Sequence, residues 1–282
     1  MSLSETLLSA KSLDVTYGAK RRLFGPADGG NKVLHGVDID IRRGETVGIV
    51  GESGSGKTTL GRALLRLVDV SAGAIHFDGR DITHMPDAEM RPLRRRMQMI
   101  FQDPMASLNP RHTIRRILVE PLLLHGLETD RQAAERRVAM ILERVTLPQT
   151  CLDRNPHELS GGQRQRIGIA RAALLEPDFV LADEIVSGLD VSTQAQVLNL
   201  LKELSRDLGL SMAFISHDLS VIRAICDRVY VMRHGRVVEE GDCDRVFAAP
   251  ASGYTHMLLD AIPLPEIDPT WLGRETEQED AA

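Results

Sequence analysis

Gly51-Glu52-Ser53-Gly54-Ser55-Gly56-Lys57-Thr58 satisfies every fixed position of the pattern G-x-x-x-x-G-K-[ST], directly after the apolar run Val47-Gly48-Ile49-Val50. The glycines let the backbone turn tightly enough for its N–H groups to point at phosphate oxygens. A helix starting near Lys57 adds the favourable field of its N-terminus. Lys57 then neutralises the β- and γ-phosphates of ATP, and the Thr58 hydroxyl ligates Mg²⁺. The expected nucleotide contacts are Gly51, Glu52, Ser53, Gly54, Ser55, Gly56, Lys57, Thr58 and the adjacent Thr59. A chance glycine turn is the plain alternative; the strand before and the helix expected over Leu60–Leu67 oppose it.

Phe179-Val180-Leu181-Ala182-Asp183-Glu184 ends an apolar run in two carboxylates, and the end of a buried strand is where open α/β sheets place ligands. Asp183 suits the outer shell of Mg²⁺, and Glu184 suits the residue that polarises an attacking water. Alone, the pair is equally a loop start. Behind a phosphate loop it gains force.

Leu159-Ser160-Gly161-Gly162-Gln163 is a second glycine-bearing helix start, with Ser160 and the following N–H groups as an anion site. One triphosphate rarely needs two such sites, so the simplest arrangement closes the loop of one chain and the Ser160–Gln163 segment of another on the same ATP. Ile215-Ser216-His217-Asp218 ends another apolar run and brings His217 to the same sheet edge, as a γ-phosphate partner or an ordinary surface or core histidine. Gln102 follows Met99-Ile100-Phe101; its carbonyl can ligate Mg²⁺ and sense the γ-phosphate. Asp190, in Ser187-Gly188-Leu189-Asp190, either signals across a dimer interface or caps a helix. Tyr17 either stacks on adenine or is a core-edge tyrosine.

The elements that position these residues follow from hydrophobic pattern. Continuous apolar runs at Val47–Val50, Met97–Phe101, Phe179–Ala182 and Met212–Ile215 suit strands covered on both faces, with helices between them. That is an α/β domain with a mainly parallel sheet. Leu13–Val15 and Val37–Ile41 alternate instead, as in a half-exposed antiparallel sheet, with a surface loop over 18–31 between them. Ala134, Val138, Ile141, Leu142 and Val145 recur at helical spacing, so 109–155 reads as an inserted helical subdomain.

Composition limits the partners. The 282 residues are 43% hydrophobic and 26% charged, as in a soluble globular protein, and the net charge of −6 leaves no overall basic footprint for nucleic acid. An aromatic content of 4% is low for base stacking. Arg91, Arg94, Arg95 and Arg96 read as a solvated helix face. Cys151, Cys226 and Cys243 have no C-x-x-C spacing, which suits a reducing cytoplasm and indicates no metal site. No apolar run is long enough to span a bilayer, and the first residues lack a signal peptide's features, so membrane work needs partners.

In this order, from Tyr17 through the phosphate loop, Gln102, Leu-Ser-Gly-Gly-Gln, Asp183-Glu184, Ser187–Asp190 and His217, the chain resembles the ATP-binding-cassette ATPases. The resemblance implies a P-loop core with an N-terminal antiparallel β-subdomain over residues 1–262, the helical subdomain inserted near 109–155, and a C-terminal tail at 263–282. It also implies a head-to-tail dimer holding two ATPs, with Glu184 as catalytic carboxylate and His217 on the γ-phosphate. Phe101-Gln102-Asp103-Pro104-Met105-Ala106-Ser107-Leu108-Asn109-Pro110-Arg111 and the stretch Pro250–Pro263 are similar to ATPase subunits of bacterial dipeptide, oligopeptide and nickel importers.

For such a subunit the resemblance implies a second, non-identical ATPase, two transmembrane permease subunits and, indirectly, an extracytoplasmic substrate-binding protein. Its place would be the cytoplasmic face of the bacterial inner membrane, with peptide as favoured cargo and nickel or glutathione as alternatives. Ile185 stands where the family has proline, Gly188 where alanine is commoner, and Ser252-Gly253-Tyr254 replaces His-Pro-Tyr. The cysteine cluster of some relatives is missing, so no iron–sulfur centre is expected. A soluble cassette ATPase of DNA repair or translation is the reading from another class. The short interval between phosphate loop and signature, which leaves no room for a long coiled coil, and the single cassette both oppose it. A non-catalytic nucleotide-binding partner is opposed by Glu184, Gln102 and His217.

Overall fold

In the computed structural model, which describes residues 6–18 and 30–261, each continuous apolar run singled out above is a strand, and three of the four are buried from end to end. The chain opens with β1 (Thr6–Tyr17) and β2 (Asn31–Arg42), then enters β3 (Thr46–Val50) and α1 (Lys57–Leu64). Next come β4 (Ala72–Phe77), β5 (Arg80–Asp81), α2 (Asp87–Arg96), β6 (Met97–Ile100) and the short α3 (Pro104–Ser107). Helices α4 (Ile114–Leu124) and α5 (Arg131–Arg144) and two 3₁₀ turns, Gln149–Asp153 and Pro156–Glu158, lead to α6 (Gly161–Ala173). Strand and helix then alternate as β7 (Phe179–Asp183), α7 (Val191–Leu208), β8 (Ser211–Ile215) and α8 (Leu219–Ile225). The hairpin β9 (Arg228–Arg233) and β10 (Arg236–Asp242) precedes α9 (Cys243–Ala248) and α10 (Gly253–Asp260). Most of the expected 18–31 loop and all of the 263–282 tail lie outside the described residues.

Two sheets form. The first is antiparallel, in the order β2-β1-β4-β5, and its strands are half exposed as the alternating pattern requires. The second has the order β10-β9-β3-β8-β7-β6; all its pairings are parallel except the β9–β10 hairpin. Because side chains alternate along a strand, this sheet divides two hydrophobic cores. Ile49, Phe179, Leu181, Ala213 and Ile215 pack toward the antiparallel sheet and α1. Val50, Val180, Ala182, Met212 and Phe214 pack with α4, α5, α6 and α7. The α5 stripe Ala134, Val138, Ile141 and Leu142 is buried in that second core.

Of the α2 arginines only Arg91 is exposed as expected; Arg94, Arg95 and Arg96 are half-buried. Arg94 donates to the carbonyls of Leu65 and Arg66, Arg95 to that of Leu175, and Arg96 bridges Asp78 and Asp178. A run of like charge can hide in a fold when uncapped helix ends and carboxylates lie within reach of long side chains. Among the described residues no helix is long and apolar enough to cross a membrane. Cys151, Cys226 and Cys243 are free and buried.

Candidate functional site

The carboxyl ends of β3, β6, β7 and β8 meet at one edge of the second sheet, and each delivers part of the site. From β3 the chain enters the glycine-rich loop. Gly51 has φ 147°, and a Cβ there would lie 2.1 Å from the Met232 carbonyl oxygen, so only glycine lets the loop lie this close to β9. Gly56 caps α1 at φ 101° without a side-chain acceptor, leaving the helix N-terminus open. Among the described residues, the N–H groups of Ser53, Gly54, Gly56, Lys57 and Thr58 have no hydrogen-bond acceptor, whereas Ser55 N–H is spent on Glu52 O at 3.2 Å. Ser55 Oγ is buried and likewise unpartnered.

Lys57 is 4% exposed, and its Nζ donates to Gly51 O at 2.7 Å and Glu52 O at 2.8 Å. An ammonium has three donors, so one remains for a ligand. Burial lowers its pKa, opposed by the carboxylates of Glu184, Asp183 and Glu52. Thr58 Oγ1 donates to Asp183 Oδ1 at 3.0 Å. Asp183 ends β7 and is 2% exposed; burial raises its pKa against the Thr58 hydrogen bond, which lowers it.

Glu184 follows in the left-handed region, with φ 48°, a strained conformation for a residue with a Cβ. Its N–H is pinned to Ile215 O at 3.0 Å, tying the end of β7 to that of β8. Its carboxylate is held from one side and approached from the other: Gln102 Nε2 donates to Oε2 at 3.0 Å, and His217 Nδ1 stands 3.7 Å from Oε1. Gln102 is delivered by β6 and His217 by β8. Beside them lies a cavity of about 140 Å³ lined by Glu184, Ser187, Gly188, Gln194 and His217 among others.

The structure thus brings together the phosphate loop, Asp183, Glu184, Gln102 and His217. The remaining sequence candidates stand apart. Ser160 caps α6 in a reciprocal box, its Oγ accepting from Gln163 N–H while Gln163 Oε1 accepts from Ser160 N–H. That box leaves the N–H groups of Gly161 and Gly162 without acceptors among the described residues, and space beside Gly161 is open. Among the described residues no hydrogen bond joins this segment to the phosphate loop. Asp190 caps α7, accepting from Thr193 N–H and Oγ1. Tyr17 ends β1 with 41% exposure, paired with Asn31.

Two departures from the family pattern have local explanations. Ile185 is 1% exposed and joins the core shared by β7 and α7. Gly188 has φ 77°, which a glycine adopts without strain. Sequence reasoning missed two features. One is the backbone strain at Glu184. The other is a hydrogen bond from Glu52 N–H to Tyr254 Oη on α10, joining residues 202 positions apart. No local signal announces either.

Residues 34–187 match the family model described as ABC transporter. The chain is 56% identical over 267 residues to a putative peptide import ATP-binding protein of Brucella ovis, covering 94% of this chain and 82% of that protein. It is 48% identical over 265 residues to an oligopeptide transport ATP-binding protein of Streptococcus pneumoniae, with coverage of 94% and 84%. A dipeptide transport ATP-binding protein of Lactococcus lactis is 45% identical over 268 residues, again covering 94% and 84%. Among solved structures, cbiO1 of Clostridium perfringens, part of an ABC transporter complex, superposes with a TM-score of 0.74 at 28% identity over 87% of this chain and 92% of that one. A dimeric ATP-binding cassette bound to ADP and phosphate gives a TM-score of 0.74 at 27% identity, covering 84% and 99%.

Proposed function

This chain belongs to the ABC transporter family, and on that footing we propose that it is the ATP-hydrolysing subunit of a bacterial peptide importer. The observation that carries the reading is the convergence of the open-ended phosphate loop with Asp183 and Glu184, Gln102 and His217 at one sheet edge. The triphosphate lies on the free N–H groups of Ser53, Gly54, Gly56, Lys57 and Thr58, with the third donor of Lys57 on its terminal phosphates and Thr59 beside them. Tyr17 stacks on the adenine.

The oxygen donors of Thr58, Asp183 and Gln102 are the hard ligands Mg²⁺ prefers, and the 3.0 Å approach of Thr58 Oγ1 to Asp183 Oδ1 fits such a site. An ion held by these three residues would supply positive charge to offset that of the triphosphate. Glu184 accepts the proton of the attacking water as its oxygen bonds to the γ-phosphorus and the bond to the ADP oxygen breaks. Gln102 holds the Glu184 carboxylate through its amide until the nucleotide arrives, and His217 keeps the γ-phosphate in line.

Closure needs a second cassette. The Gly161 and Gly162 N–H groups left free by the Ser160–Gln163 box complete the site of a facing, non-identical ATPase, and Asp190 lies at that interface. The two cassettes act on two transmembrane permease subunits at the cytoplasmic face of the inner membrane, served by an extracytoplasmic binding protein. A groove of about 670 Å³ lined by Ser107, Ile117, Leu123, Leu124 and Arg171, with Leu124 68% exposed, is the permease contact. Relatives named for dipeptide and oligopeptide transport support peptide as cargo. Purifying the membrane complex that holds this chain and measuring ATP-dependent uptake of labelled peptides tests the reading. A complex that hydrolyses ATP but takes up nickel or glutathione and no peptide would reassign the cargo.

A further inference from the structure

The phosphate loop is gripped from outside the nucleotide site. Glu52, its second residue, accepts from Lys57 Nζ and Ser55 N–H through its carbonyl, while its N–H donates to Tyr254 Oη at 3.1 Å. Tyr254 lies on the C-terminal helix α10 and is 6% exposed. The Arg233 guanidinium covers its ring, 4.8 Å from the centroid. Arg233 directly follows Met232, whose carbonyl oxygen is the atom pressed against Gly51. Loop, β9 and α10 therefore form one packed corner.

The start of α10 is itself anchored. The Glu239 carboxylate on β10 accepts from the N–H groups of Ala251 at 2.7 Å and Ser252 at 3.1 Å, and Ser252 Oγ accepts from Tyr254 N–H at 3.3 Å. Ser252 and Gly253, where the subgroup carries His-Pro, thus keep a capped helix that presents the tyrosine. The contacts run without a break from β10 through α10 to Glu52.

Such a grip has a purpose in a loop of this composition. Positive φ at Gly51, Gly54 and Gly56 makes the loop inexpensive to bend, so its N–H groups converge only if something holds it. A loop that is only partly in the competent shape binds its ligand more weakly in proportion to that fraction. Resting on the phosphate-loop reading above, we propose that Tyr254 is a positioning residue for nucleotide binding, through whose hydroxyl α10 holds the phosphate loop in its phosphate-accepting shape.

Tyr254→Phe keeps the ring and its Arg233 contact and removes only the hydroxyl. Titration of the full chain with Mg·ATP in a calorimeter should give a Kd raised about fivefold, the loss expected for one hydrogen bond of ordinary strength. KM for ATP should rise by the same factor, kcat at saturating ATP should stay within about twofold, and the thermal midpoint of the nucleotide-free chain should fall by no more than the few degrees one hydrogen bond is worth. Glu239→Ala, which frees the start of α10, should give the same split between KM and kcat. Unchanged Kd and KM in Tyr254→Phe, or a loss confined to kcat, overturns the proposal. Lys57→Ala runs beside it. If that variant binds ATP as the wild type does, the phosphate-loop reading fails, and the proposal with it.

Discussion

Gln102 and Glu184, 82 positions apart in the chain, are joined by a 3.0 Å hydrogen bond from the Gln102 amide to a carboxylate that His217 approaches from the other side. The carboxylate assigned to water activation is thus held by one of the residues assigned to the γ-phosphate and stands beside the other. Glu184→Gln keeps size and hydrogen bonding but removes the base. Phosphate release should fall by about a hundredfold or more while ATP still binds, and the variant mixed with its partner cassette should accumulate as a closed dimer by light scattering. Hydrolysis at the wild-type rate would remove Glu184 from the mechanism.

Lys57 holds the loop, and in the proposed site its third donor turns to the phosphates. Its replacement by alanine removes two tethers, to Gly51 O and Glu52 O, along with the charge. Calorimetry should show ATP affinity weakened by about two orders of magnitude, since a charge-assisted bond to phosphate is worth more than a neutral one. Lys57→Arg should not restore it, because the larger planar guanidinium cannot spread its in-plane donors over two carbonyls and a phosphate from the space a compact ammonium fills.

Asp183 illustrates stability given up for function. Burial raises its pKa, so the folded chain binds its proton more tightly than the unfolded chain does. The sign follows: stability falls as pH rises from the ordinary carboxylate range through the raised folded value, and the loss is complete above it. Asp183→Asn retains an acceptor for Thr58 and carries no buried charge. The nucleotide-free variant should melt above the wild type at neutral pH, with the gap closing as the pH is lowered to where the carboxyl is neutral in both states. Its Mg²⁺-dependent hydrolysis should be lost. A lower melting point at neutral pH would contradict this account.

The parts of the fold that could be read in the sequence are those with local causes. Strands covered on both faces need unbroken apolar runs, so β3, β6, β7 and β8 were visible, as was the stripe of α5. β9 carries an equally unbroken apolar run, Val229–Met232, and is legible by the same rule; β10 is not, because none of its residues is buried and Glu239 and Glu240 interrupt it, one of them anchoring α10. The phosphate loop is legible because its chemistry is consecutive. Strain at Glu184 and the Tyr254 contact are set by tertiary packing, which leaves no trace in spacing. Arg94, Arg95 and Arg96 of α2 misled for the same reason, their partners being carbonyls and carboxylates distant in sequence.

Asp190 separates two roles that sequence alone left level. It caps the longest helix of the described residues, accepting from both the N–H and the hydroxyl of Thr193, and these bonds lower its pKa. A lowered carboxylate contributes stability above its unfolded pKa and loses it as pH falls through the folded value. Asp190→Ala should therefore lower the thermal midpoint by a few degrees at neutral pH, and by progressively less in acid. Asp190→Asn and Asp190→Ser, both competent caps, should melt close to the wild type. The hydrolysis rates of these two variants then decide the remaining question. Rates near wild type mean that the side chain serves only α7. Slow hydrolysis in a chain that melts normally means that the charge acts across the interface with the second cassette, because neither the cap nor the nucleotide contacts of its own chain have been disturbed.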